Sequence, residues 1–191
     1  MDLLQALRSS TREAHERLEA RLDVAARCRD IASYAELLGA LRMVYAPLED
    51  AVSSCPQTAA AVPDWPRRRK TAWLDQDLAA LRAQTPGPAS SSSPAPMPRL
   101  TCAEDVLGCV YVMEGATMGA AIIVRELMAL PRVPPHRFFT GYGAERAQRW
   151  QTFRGYAADM GSRGCDSGRV VVAAAERTFA AFDAACVRMV P

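Results

Sequence analysis

LGCVYVMEGATMGAAIIVREL, residues 107–127, carries two neighbouring apolar stripes at helical spacing. One runs Val106, Cys109, Met113, Ala116, Ala120, Ile123, Leu127, and the other Leu107, Val110, Glu114, Thr117, Ala121, Val124, Met128. A helix apolar over that much of its circumference is expected to be central and buried. Thr101 and Glu104 have the T-x-x-E spacing of a capping box, and Pro131 stops the pattern, so the helix is expected over roughly 102–130. Within it Gly115 and Gly119 share one face, each costing about 1 kcal/mol of helix propensity relative to alanine. Small residues at i and i+4 remove side-chain bulk. Either a second helix crosses closely there, or the helix bends at its glycines over a planar ligand.

The segments on either side are helical too. Leu4, Leu7, Thr11, Ala14 and Leu18 trace one face of a helix over about 3–22, with Asp2 as its cap. Ile31, Tyr34, Leu38, Leu41, Tyr45, Leu48 and Val52 repeat the pattern until Cys55-Pro56 ends it. PDWPRRRK (63–70) then leads into a helix carrying Trp73, Leu74, Leu78 and Leu81. Its run Arg67-Arg68-Arg69-Lys70 reads as a solvated face, with a docking surface for an acidic electron-transfer protein as the alternative. Residues 84–99, rich in Ser and Pro, read as a flexible surface loop. Beyond residue 130, Pro134-Pro135-His136 and Gly141-Tyr142-Gly143 read as turns, with His136 at the surface. A helix over 144–160 turns Trp150, Phe153 and Ala157 inward, and a last one carries Val172, Ala175, Phe179, Phe182, Cys186 and Met189. The expectation is one all-α domain over 1–191, without internal repeats.

Bulk properties narrow the function. The 191 residues carry 23 basic and 21 acidic side chains, a net charge of +2 that gives no reason to expect a nucleic-acid partner. No run of uninterrupted apolar residues reaches the ~18 of a membrane span, and the amino terminus is charged and amphipathic, so a cytoplasmic location is expected. The six cysteines are scattered, with no C-x-x-C pair, and read as buried free thiols. P-loop, dinucleotide-binding and zinc-protease motifs are absent, and no glycine-framed Ser or Cys marks a nucleophile.

Chemistry can sit on the first helix. Arg8, Arg12, His15 and Glu19 share a face beside its apolar stripe. A neutral imidazole is a common ligand for haem iron, a carboxylate one turn on can orient the ring through its other nitrogen, and arginines can pair with carboxylates of a ligand. Read alone, the same residues make an ordinary salt-bridged surface.

Taken together, these segments resemble the bacterial haem oxygenase family. LRSSTREAHERLE (7–19) is similar to the proximal helix, whose iron-binding His is followed four residues later by Glu, here His15 and Glu19. The central segment resembles the distal helix with its E-G-x-x-x-G-(A/G) core, here Glu114, Gly115, Gly119 and Ala120. WLDQDLAAL (73–81) and FFTGYGAERAQRWQTF (138–153) are similar to two supporting motifs. The resemblance spans nearly the whole chain, in order. It implies a haem oxygenase-like helical bundle with haem b, both cofactor and substrate, between the proximal helix and a glycine-kinked distal helix.

By that resemblance His15 is the iron ligand, and Gly115, Ala116 and Gly119 form the catalytic distal surface. Arg8, Arg12, Glu19, Met118 and Ala120 complete the cofactor site. The implied reaction is oxidative cleavage of haem to biliverdin, CO and ferrous iron, with electrons from a ferredoxin or flavin reductase and a bacteriophytochrome as a possible biliverdin acceptor. Ala116 stands where the family often has Asp or Ser, and Arg146 and Ala147 where Thr and Gly are frequent. A haem-binding or haem-trafficking protein, or a helical scaffold without haem, is the alternative.

Overall fold

The computed structural model describes residues 2–84 and 97–187, and among these the chain forms only helices and turns. Helix α1 spans Leu3–Leu22. Its N-cap is Asp2, which accepts the Leu4 N–H at 3.1 Å. Asp23 ends α1 in the left-handed region, with φ 36°, and its side chain caps the short α2, Val24–Arg27, at the Ala26 N–H. Asp30 accepts the Ser33 N–H at 2.8 Å to open α3, Ile31–Ser54, which stops at extended Cys55 before Pro56.

A short α4, Thr58–Ala61, and a 3-10 turn at Trp65–Arg67 precede α5, Thr71–Gln84. The long helix α6, Ala103–Met128, follows the Ser/Pro-rich segment, most of which lies outside the described residues. The remaining helices are α7 (Arg137–Thr140), α8 (Arg146–Gly161) and α9 (Cys165–Val187). The all-α architecture is as expected; α2, α4 and α7 are additions too short for periodicity to reveal.

α9 is the shared spine. Along it Leu3 of α1 lies against Gly168, the His15 ring meets Phe179 with centroids 6.1 Å apart, and Arg21 pairs with Asp183 at 2.9 Å. On its other flank Ser167 donates to Glu104 of α6 at 3.1 Å, and Gly108 lies against Val171, Ala174 and Ala175. Both sets advance together, so α1 and α6 run parallel to α9 and to each other. Tyr111 of α6 meets Thr11 of α1 at the matching level. The core is built from Leu7, Leu37, Leu38, Leu48, Val106, Leu107, Val110, Phe153 and their neighbours, all fully buried. α3 closes it from the other side, packed on α5 and α9.

Several expectations need correction. The capping box does not form: Glu104 is taken by Ser167, Cys102 is the N-cap residue, and Asp105 instead accepts the Thr101 N–H and hydroxyl, both at 2.9 Å. α6 is buried only through its first half; beyond Glu114 its inward residues are Ala120 and Leu127, while Met118, Ile122 and Met128 are exposed. By length and composition alone α6 is apolar enough to cross a membrane, although it has no uninterrupted apolar run of that length and half of its most apolar window is buried within the bundle. Cys165 is exposed and Cys102 half-buried, whereas the other four thiols are buried as expected. His136 is half-buried, with Nδ1 2.8 Å from the Pro134 carbonyl. Met189 lies outside the described residues.

Candidate functional site

The glycines of α6 stand in two different surroundings. Gly108, Gly115 and Gly119 lie on one face, but only Gly108 is crossed by another helix. A methyl group there would stand 2.3 Å from the Val171 carbonyl oxygen and 2.9 Å from the Ala175 nitrogen. At Gly115 and Gly119, apart from chain neighbours and the backbone of α6 itself, no described residue lies within 4 Å of where a Cβ would be. The helix-crossing explanation therefore belongs to Gly108, and the pair at 115 and 119 leaves bare backbone facing open space. α6 continues through both without a break in its helical pattern.

The spine sets what stands at that level. Glu104 is opposite Ser167, and Leu3 is opposite Gly168, so twelve residues further on His15, Phe179 and the first turn after Glu114 share one height. His15 is exposed, its ring edge-on to Phe179 and its Nδ1 3.4 Å from Glu19 Oε2. Arg12 is exposed and directed along the surface to Glu16 at 3.9 Å. Arg8 is exposed, and its charge acts on the Tyr111 hydroxyl, which burial pushes above its ordinary pKa despite the Thr11 hydrogen bond and the Arg8 charge.

Tyr111 was missed in the sequence, although its place four residues before Gly115 puts it on the same face. Ala116, Met118 and Gly119 are exposed, and Gly115 is half-exposed. Ala120 is only 4% exposed and packs into the core, behind the open surface instead of on it. The Thr117 hydroxyl donates to the Glu114 carbonyl at 2.7 Å. Among the described residues no three His, Cys, Asp or Glu side chains gather as a metal site. A lone imidazole such as His15 suits a metal already held by a macrocycle.

A second polar cluster lies just behind the glycines. Glu114, 1% exposed, accepts from Arg68 Nη1 at 2.6 Å, from Tyr142 Oη at 2.8 Å and from Lys70 Nζ. Arg68 also donates to Asp64 Oδ1 at 2.7 Å and to the Arg149 carbonyl at 3.2 Å. Lys70 N–H and Thr71 N–H both donate to the buried Glu49 of α3. This corrects the reading of residues 67–70 as one solvated or docking face: Arg67 and Arg69 face outward, while Arg68 and Lys70 are buried against Glu114. Burial lowers the Arg68 pKa, but its bonds and charges with Asp64 and Glu114 outweigh that and leave it raised. Arg146, one of the departures from the motif, donates to the carbonyls of Phe139 and Thr140 at 3.3 and 3.1 Å and closes the turn before α8.

Comparison with known proteins agrees with this architecture. The NO- and CO-bound haem oxygenase from Neisseria meningitidis superposes with a TM-score of 0.78 at 14% identity, covering 99% of this chain and 92% of that one. The haem oxygenase from Leptospira interrogans gives 0.74 at 16% identity, covering 98% and 100%. Haem oxygenase-1 from the cyanobacterium Synechocystis, solved in complex with haem, gives 0.68 at 18% identity, covering 100% and 93%. At such identities the likeness is one of fold. No curated protein sequence matches significantly. The family model described as Heme oxygenase matches residues 1–187, and the chain belongs to the haem oxygenase family.

Proposed function

We propose that this chain binds haem b between α1 and the open half of α6 and cleaves it to biliverdin, CO and ferrous iron, using O₂ and an external electron donor. The observation that carries the reading is the shared level of the His15 imidazole and the uncovered Gly115–Gly119 backbone on the α9 spine. In this reading His15 ligates iron through Nε2, because Nδ1 faces Glu19, whose carboxylate orients the ring and raises its basicity. Arg8 and Tyr111 receive the propionate carboxylates at one edge, with Arg12 as a further surface charge. Gly115, Ala116 and Gly119 let a flat ligand rest against backbone, with Met118 and Ile122 as apolar cover. Ala120 supports that surface from the core side.

When bound, haem supplies both the iron at which O₂ is activated and the carbon skeleton that is oxidised. His15 would hold the iron, and Gly115, Ala116 and Gly119 of α6 would offer it no strong side-chain ligand. Ala116 has no hydroxyl and Thr117 has committed its own, so hydrogen bonding on that face falls to backbone groups and water. The same two residues favour one second reading, haem binding without turnover.

An anaerobic haem titration followed by reductant and O₂ tests both. A Soret band that forms, then gives way to biliverdin absorbance, is the expected result, and His15→Ala should abolish the ligated spectrum. A band persisting through many equivalents of electrons would leave only the binding reading, and no band at all would overturn both. A ferredoxin or flavin reductase and a bacteriophytochrome enter the same assay as electron source and biliverdin trap.

A further inference from the structure

Bare backbone at Gly115 and Gly119 is useful to a flat ligand only if α6 presents that face and not the flanking Met118 or Ala121. Gly108 locks the helix against α9 seven residues earlier, and past Glu114 α6 buries little besides Ala120 and Leu127. Glu114 is therefore the last firmly held side chain before the open half, and it directly precedes Gly115.

Its holders come from separate parts of the chain. Arg68 and Lys70 stand on the connection before α5, itself tied to Asp64 and to Glu49 of α3; Tyr142 stands on the turn before α8. An ion pair with two buried cations and a phenol fixes a carboxylate in direction as well as position, which an apolar contact does not.

We propose that Glu114, clasped by Arg68, Lys70 and Tyr142, is a positioning residue that sets the rotation and seat of the open half of α6, and so how the flat ligand lies in the site. The functional half of this inference rests on the haem-binding reading; the mechanical half does not. Tyr142→Phe removes one bond to Glu114 and leaves both ion pairs, so it serves if Glu114→Gln fails to fold. In haem-free protein, amide hydrogen exchange over residues 115–128 should accelerate about tenfold in Tyr142→Phe, the equivalent of one lost bond to a charged group, and by more in Glu114→Gln, which also loses the charge facing Arg68 and Lys70, with α3 and α9 unchanged. With haem, the ferric spectrum should shift and the biliverdin should become a mixture of regioisomers, with kcat falling more than haem affinity.

Folded variants with wild-type exchange over 115–128 would overturn the clasp. Accelerated exchange with a wild-type spectrum and a single wild-type isomer would overturn the positioning role. If the wild-type protein binds no haem, the proposed function falls, and the exchange measurement alone still decides whether Glu114 seats α6.

Discussion

Alanine at Gly119 and alanine at Gly108 should change stability in opposite directions. At Gly119, apart from chain neighbours and the backbone of α6 itself, a methyl meets no described residue within 4 Å, so the substitution gains helix propensity, about 1 kcal/mol, without a packing cost. For a chain of this size that is roughly 2–4 °C in Tm. At Gly108 the same gain is offset by contacts of 2.3 Å to the Val171 oxygen, 2.7 Å to the Ala174 Cβ and 2.9 Å to the Ala175 nitrogen. Two of these atoms belong to the backbone of α9 and cannot rotate away. Overpacking of this kind costs about 1–3 kcal/mol or more, so Gly108→Ala should melt lower than wild type. If haem lies on this face as proposed, the ranking at Gly119 should reverse: the added methyl would prop the ligand off the helix, and a comparable cost would weaken binding roughly five- to a hundredfold. Thermal melts followed by circular dichroism on haem-free protein, then Soret titrations of the same samples, read both effects. A Gly119→Ala variant that melts below wild type, or that binds haem with wild-type affinity, would refute the assignment of that face to a ligand.

Arg68→Ala should destabilise the protein by about 3–5 kcal/mol in urea unfolding, because it breaks the buried pair with Glu114, which keeps Lys70 as its one cation, and the bond to Asp64, whereas exposed Arg67→Ala should stay within about 0.5 kcal/mol. Equal effects would contradict their opposite burial. Arg8→Ala and Tyr111→Phe should each weaken haem binding a few-fold and leave binding of the haem dimethyl ester unchanged, which separates carboxylate recognition from general packing. At Asp105 burial pushes the carboxyl up, but its bonds to Thr101 and Cys102 and the Arg177 charge hold it below the usual range. A folded pKa below the unfolded one, near 4, gives stability that is present above the unfolded value and lost as pH falls through the folded one. Asp105→Asn should therefore flatten the acid limb of the stability profile and leave its slope near neutral pH alone; an unchanged acid slope would show that the carboxylate contributes nothing there.

The two longest early helices were legible because their limits are local. Asp2 and Asp30 cap within three residues, and Cys55-Pro56 stops α3 through the geometry of a single peptide. The start of α6 was misread for the same kind of reason reversed: Thr101 and Glu104 have capping-box spacing, but Ser167, 63 positions away, takes the Glu104 carboxylate and Asp105 fills the role at Thr101. The basic run shows the limit most clearly. Four adjacent cations look alike in sequence, yet Arg68 and Lys70 face inward because Glu114 waits 46 and 44 residues away. His15 and Glu19 were legible as a pair one helical turn apart. Tyr111 needed a neighbour, Thr11 on another helix, before its hydroxyl stood out.

Sequence by itself determined that this protein is all-helical, where its main helices run, and which family its motifs resemble, since periodicity, caps and motif order are properties of neighbours along a chain. It also marked Gly115 and Gly119 as costly residues in need of a reason. Only the tertiary structure separated them from Gly108 by what stands against each. An apolar or small-residue stripe reports that a helix face avoids water or bulk, not what comes to meet it. α9 meets that face at Gly108, leaves it bare at Gly115 and Gly119, and holds His15 on α1 at the same height.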